Sequence, residues 1–125
     1  MRMTHMLLAL ALVASPSVAW SHTIAKGPNG GQIVDDKGHH VEFTTKGSEV
    51  VLYLSDDKDK PIGSKGASGR VVIQAAGKQA SVALVPADPN MLTAKLEGPL
   101  AAGAKLVVSA KLSDGHDLQA RFVVK

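Results

Sequence analysis

From Leu92 to Val124 the chain repeatedly sets one apolar residue against one polar residue, and that alternation leaves room for little but β-structure. Leu92, Ala94 and Leu96 alternate with Thr93, Lys95 and Glu97. Leu106, Val108, Ala110 and Leu112 alternate with Lys105, Ser109 and Lys111, and Leu118, Ala120, Phe122 and Val124 with Asp117, Gln119 and Arg121. A period of two sends every second side chain to the same face, so each run reads as a strand with one face in a core. Asp114-Gly115 between the last two runs is a hairpin signal, because tight turns that match strand twist need residues tolerant of positive φ.

Earlier runs are shorter but of the same kind. Gln32 to Val34 comes after a Gly-rich GPNGG, and His39 to Thr44 after an Asp-Lys-Gly turn. Glu49 to Leu54, EVVLYL, is rich in the branched and aromatic residues that favour a pleated surface. Arg70 to Gln74 and Gln79 to Val85 flank Ala75-Ala76-Gly77-Lys78 as a second hairpin. A polar loop spans Ser55 to Gly69, and Pro86, Pro89 and Asn90 mark another. No window beyond the N-terminus carries a helical period. The expectation is an all-β, antiparallel immunoglobulin-like sandwich of seven or eight short strands with Greek-key connections, a small barrel being the alternative.

The N-terminus has the parts of an export signal: a cationic start at Arg2, an apolar run from Met6 to Ala14, and small residues at Ala19 and Ser21 beyond Pro16. The run falls short of the roughly 20 apolar residues that cross a bilayer. Cleavage is expected after Ala19 or after Ser21. The organisation this predicts is a signal peptide at 1–21, a flexible N-terminal segment at 22–31 and a β-sandwich domain at 32–125, giving a soluble periplasmic product. Cysteine is absent, which removes disulfides, thiolate nucleophiles and thiolate metal sites. Once Met1, Met3 and Met6 leave with the signal, only Met91 remains, so a Met-rich copper(I) site is excluded. The net charge of +3 comes from lysines interleaved with acids, and the aromatics are only Trp20, Phe43, Tyr53 and Phe122. A nucleic-acid surface clusters its cations and adds stacking rings, so none is expected.

The chemistry-bearing residues are histidines and carboxylates. His22 becomes the first residue of the mature chain if the cut is after Ser21, and the third if it is after Ala19. Either way the terminal amine and the imidazole form a nitrogen-rich set suited to copper(II) or nickel(II). Asp114 and His116 stand two apart at a hairpin end, so both side chains can face one way. His40 and Glu42 share one face of their strand, while His39, Val41 and Phe43 share the other; a His–Glu pair can offer two ligands to zinc or copper.

These stretches carry two resemblances. Leu100 to Val124, LAAGAKLVVSAKLSDGHDLQARFVV, resembles the last strands of the periplasmic copper-resistance β-sandwich family. That resemblance implies copper(II) held by an N-terminal histidine with the Asp and His of the hairpin, here His22, Asp114 and His116. Gly27 to Phe43, GPNGGQIVDDKGHHVEF, with LYLSDDKDKPI after it, resembles small periplasmic domains associated with heavy-metal efflux adaptors. That resemblance covers more of the chain and implies a metal-efflux adaptor or pump component as partner.

Other chemistries fail on detail. A calcium loop starting at Asp57 needs Gly at its sixth position and Glu at its twelfth, where Ile62 and Ser68 stand. There is no Gly-x-Ser-x-Gly elbow and no phosphate-binding Gly-Lys-Ser/Thr, so no enzyme is expected. The functional expectation is a periplasmic accessory protein of heavy-metal, copper-type resistance or efflux that binds a divalent ion through His and carboxylate ligands. The alternative is a metal-free β-sandwich interaction module docking on a periplasmic or efflux-complex partner. The two separate on whether the histidines converge in space.

Overall fold

The computed structural model describes residues 23–125. The expected signal peptide at 1–21 and His22 lie outside the described residues. Nine strands run in chain order: β1 (Thr23–Lys26), β2 (Gln32–Asp36), β3 (His39–Lys46), β4 (Glu49–Asp56), β5 (Ser68–Ala75), β6 (Lys78–Ala87), β7 (Met91–Lys95), β8 (Lys105–Lys111) and β9 (Asp117–Val123). Every pairing is antiparallel, in keeping with the alternating pattern, and the described residues contain no helix. The strand beyond the expected eight is β1, which lies within the stretch expected to be a flexible lead-in and pairs Thr23 and Ile24 with Val34 and Ile33.

The strands form one continuous sheet in the order β1-β2-β3-β4-β7-β6-β5-β8-β9. The segment β4-β7-β6-β5 is a Greek key, three hairpin-linked strands with a fourth returning beside the first. Strand β6 carries the ladder round a corner. Its residues up to Leu84 pair with β5, whereas Val85, Pro86 and Ala87 pair with β7. The sheet therefore curls on itself instead of dividing into two separately bonded sheets. β9 comes to lie against β2 and β3 on the far side of the core. No backbone–backbone hydrogen bond joins β2 to β9 among the described residues. Side chains bridge them instead: Gln32 Nε2 donates to the Val123 carbonyl at 2.8 Å, and the Gln119 amide donates to Asp36 Oδ2 at 2.8 Å.

The inner face is built from the alternating residues. Leu92, Ala94, Leu106, Val108, Ala110, Leu112, Leu118, Ala120 and Phe122 are all buried, joined by Val41, Phe43, Val50, Leu52 and Leu54 from the earlier strands. Phe43 and Phe122 meet across the core with ring centroids 5.2 Å apart, an offset aromatic contact worth about 1 kcal/mol beyond its burial.

Two turns lie at the open end of the curled sheet. In the first, Asp36 faces His39 in register, with only Lys37 (φ 53°) and Gly38 (φ 86°) between them. Both are left-handed, so the turn is of the mirror-image kind that suits strand twist. Asp35 Oδ1 accepts the Gly38 amide at 3.1 Å and holds the turn shut. In the second, between β8 and β9, the Leu112 amide donates to the His116 carbonyl at 2.9 Å. The three residues between make the tip, and Gly115 supplies the positive φ of 91° that such a loop needs.

The long loop after β4 is anchored by one buried hydroxyl. Ser64 is fully enclosed, its Oγ donating to the Ala87 carbonyl at 2.8 Å and its amide to the Pro89 carbonyl at 3.1 Å. Ser64→Ala leaves the Ala87 carbonyl without that donor, at a cost of about 1–2 kcal/mol. Urea unfolding of the variant should show the loss with an unchanged denaturant slope. A midpoint equal to the parent's would mean the hydroxyl does not hold the loop.

Candidate metal centre

Period two explains how β3 divides its side chains. Val41 and Phe43 face the core, so His39 belongs to the same row, at the strand's first residue and the mouth of the curled sheet. β9 packs against β2 and β3, so the β8–β9 turn stands over that mouth. The two meet there. The ring centroids of His39 and His116 are 5.1 Å apart, tilted by 49°. His39, Asp114 and His116 each offer a ligating atom, and these atoms all lie within 4.8 Å of one another.

The turn organises its own half of the cluster. Asp114 Oδ1 accepts the His116 amide at 2.9 Å, and Asp114 Oδ2 lies 2.8 Å from His116 Nδ1. One carboxylate thus fixes both the backbone and the ring of His116. The His116 amide, then the His116 ring, and then the positive charge available on His116 and His39 hold the Asp114 carboxyl below the usual carboxylate range. Asp114 is therefore an anion wherever an imidazole is neutral enough to bind metal. His116 and Asp114 are open to solvent, their side chains 63% and 53% exposed, while His39 is half-buried.

Two imidazoles and a carboxylate are borderline nitrogen and oxygen donors, which suit zinc(II), nickel(II) and copper(II) better than calcium or magnesium. Three donors leave coordination positions open to water or another molecule's ligand. A carboxylate on one imidazole nitrogen also orients the ring and raises the basicity of the other nitrogen, as carboxylates do behind metal-bound histidines.

The expected candidates divide between different places. Asp114 and His116 are together. His22 lies outside the described residues. His39, read from the sequence only as a neighbour of core residues, is the third member. What could have picked it out is its place in the row His39-Val41-Phe43, which runs inward and ends at a strand terminus.

His40 and Glu42 face away from this cluster and do not share a site with each other. Glu42 is only 4% exposed. Its Oε2 accepts the amides of Asn29 at 2.9 Å and Gly31 at 2.8 Å, and its Oε1 accepts Asn29 Nδ2 at 3.0 Å. The carboxylate is committed to the β1–β2 turn. Gly27 has no room for a Cβ because the Glu42 carboxylate fills that space, and at Gly31 a Cβ would strike the Phe43 carbonyl. His40 sits between Asp35 and Asp59, its Nε2 3.6 Å from one and its Nδ1 3.5 Å from the other. Both separations exceed good hydrogen-bond length, and Nδ1 is enclosed without a partner. Glu42 reads as a turn anchor and His40 as a separate, carboxylate-flanked ring. Asp56 is likewise local: the Lys60 amide, and after it the Lys58 amide, lowers its carboxyl below the usual range.

No protein-family model, no curated protein and no solved structure matches this chain. The geometry therefore stands alone: an antiparallel all-β protein with a surface cluster of two histidines and one aspartate at the open end of its curled sheet.

Glu42→Gln keeps the volume but removes the charge that collects three donors, so stability should drop by about 2 kcal/mol while metal affinity stays at the parent value. Paired denaturation and calorimetric titration would test this; a matching loss of metal affinity would return Glu42 to the ligand set. Acid provides a separate check on the turn. Asp114 has a lowered folded pKa, so its stabilising effect is complete above its unfolded value of about 4 and is lost as pH falls through the folded value. Asp114→Asn should flatten the acid limb of a stability–pH curve below about pH 4 and leave the neutral limb's slope alone. Superimposable acid limbs would show that the contact with His116 does not form.

Proposed function

We propose that this protein is a non-enzymatic binder of a divalent cation of the copper(II) or zinc(II) kind, acting as a periplasmic accessory of heavy-metal resistance or efflux. The observation that supports it is the convergence of His39, Asp114 and His116, whose ligating atoms lie within 4.8 Å of one another although His39 is far along the chain from the other two. The periplasmic setting rests on the signal-like pattern of 1–21, and the efflux setting on the resemblance of the Gly27–Phe43 stretch to efflux-associated domains. The same reading takes the curled Greek-key sheet as a variant of the immunoglobulin-like sandwich, supported by its strand order. An exposed, three-donor site favours buffering and hand-over, since its open positions let an incoming ligand attack the ion before the outgoing ones release it.

Native mass spectrometry and calorimetry with copper(II) and zinc(II) test the proposal on protein exported with its own signal. A one-to-one complex is expected, weakened about tenfold or more by His39→Ala, Asp114→Ala or His116→Ala. His22→Ala in the same series reports whether the mature N-terminus adds a donor. Affinity should fall as pH drops through about 6, because protons compete for imidazole nitrogen. Loose, multiple adducts insensitive to these substitutions would favour the metal-free interaction module instead.

A further inference from the structure

The ladder that runs through all nine strands stops at β9. Beyond it, β9 is held to β2 and β3 by side chains alone, and not uniformly. In the half nearer the C-terminus, Phe122 stacks on Phe43 and Gln32 bonds the Val123 carbonyl. The half nearer the β8–β9 turn has one polar bond to β2, from the Gln119 amide to Asp36 Oδ2. Opening the seam at that end leaves the Phe43–Phe122 stack in place, and gives up one exposed hydrogen bond, the His39–His116 ring contact and part of the burial of Leu118.

The histidine–aspartate cluster sits at this weak end and straddles it. His39 comes from β3, on one side; Asp114 and His116 come from the β8–β9 turn, on the other. The two rings approach at 5.1 Å, and the His116 Nδ1 is turned to Asp114 of its own turn rather than to His39. A cation bound by all three residues would join the two sides through coordinate bonds.

We infer that a cation at His39, Asp114 and His116 is a latch: its binding fastens β9 to the β2–β3 hairpin, so that metal occupancy is converted into the order of one edge strand. The inference rests on the cation-binding reading above and adds to it a consequence for the fold.

Amide hydrogen exchange with and without zinc(II), with zinc binding followed by calorimetry on the same sample, tests it. Zinc, free of unpaired electrons, leaves the spectra readable. Saturation should slow exchange at His116, Leu118 and Gln119 by about tenfold or more, and leave the β5–β6 hairpin, around Val72 and Ser81, unchanged. Asp36→Ala should speed exchange at Leu118 in the metal-free protein, and zinc should restore it. His39→Ala cuts the bridge from β3 yet keeps the Asp114–His116 pair; zinc at a concentration that refills this weaker site should give no slowing. One-to-one binding with no change at β9, or with equal slowing across all strands, overturns the latch while leaving the cation-binding reading intact. Absence of zinc binding overturns both, and the calorimetry tells the two failures apart.

Discussion

Phe122 on β9 stacks on Phe43 of β3, and the Asp36 carboxylate takes the amide of Gln119. These contacts bring the last strand back against the second and third without a backbone ladder. Much depends on them. They close the core over Leu118 and Ala120, and they set the β8–β9 turn beside the β2–β3 turn. Were β9 to swing away on its single ladder to β8, His39 would lose both of its companions, and the core would lose one wall.

Two carboxylates show how environment divides roles among like groups. Glu42 lies under the β1–β2 turn and accepts three hydrogen bonds from neutral donors, so its acceptor capacity is spent on shaping that turn. Asp114 lies in the open at a hairpin tip, with an amide and an imidazole of the same histidine as partners. Burial with neutral donors makes an anchor. Exposure beside two imidazoles leaves oxygen lone pairs within reach of a cation. The intrinsic chemistry of the two side chains is nearly the same.

Much of the fold was legible in the pattern. The inner faces of β7, β8 and β9 are the residues that alternation selects, because a pleated strand with one wet face cannot bury both rows. The hairpins at Lys37-Gly38 and Ala76-Gly77 were legible from their glycines, which take positive φ freely, whereas Lys37 and Ala76 are held at positive φ by the turn. The corner in β6 was not legible. Gln79 to Val85 reads as one strand, and nothing local says that its two ends pair in different directions. β1 was missed because Thr23–Lys26 is short and its strand character comes from pairing with β2 rather than from its own pattern.

The candidate site divides along the same line. Asp114 and His116 could be found from sequence, since two residues at one hairpin tip are neighbours by covalent geometry. Period two likewise determined that His39 shares a face with Val41 and Phe43. Only the tertiary structure decided that this row ends at the β8–β9 turn, and that Glu42 is sealed beneath the Asn29–Gly31 turn while His40 is held elsewhere between Asp35 and Asp59. Spacing along a strand specifies directions, and those are local. Which directions converge depends on strand order and on how far the sheet curls, and these are set by the packing of the whole core.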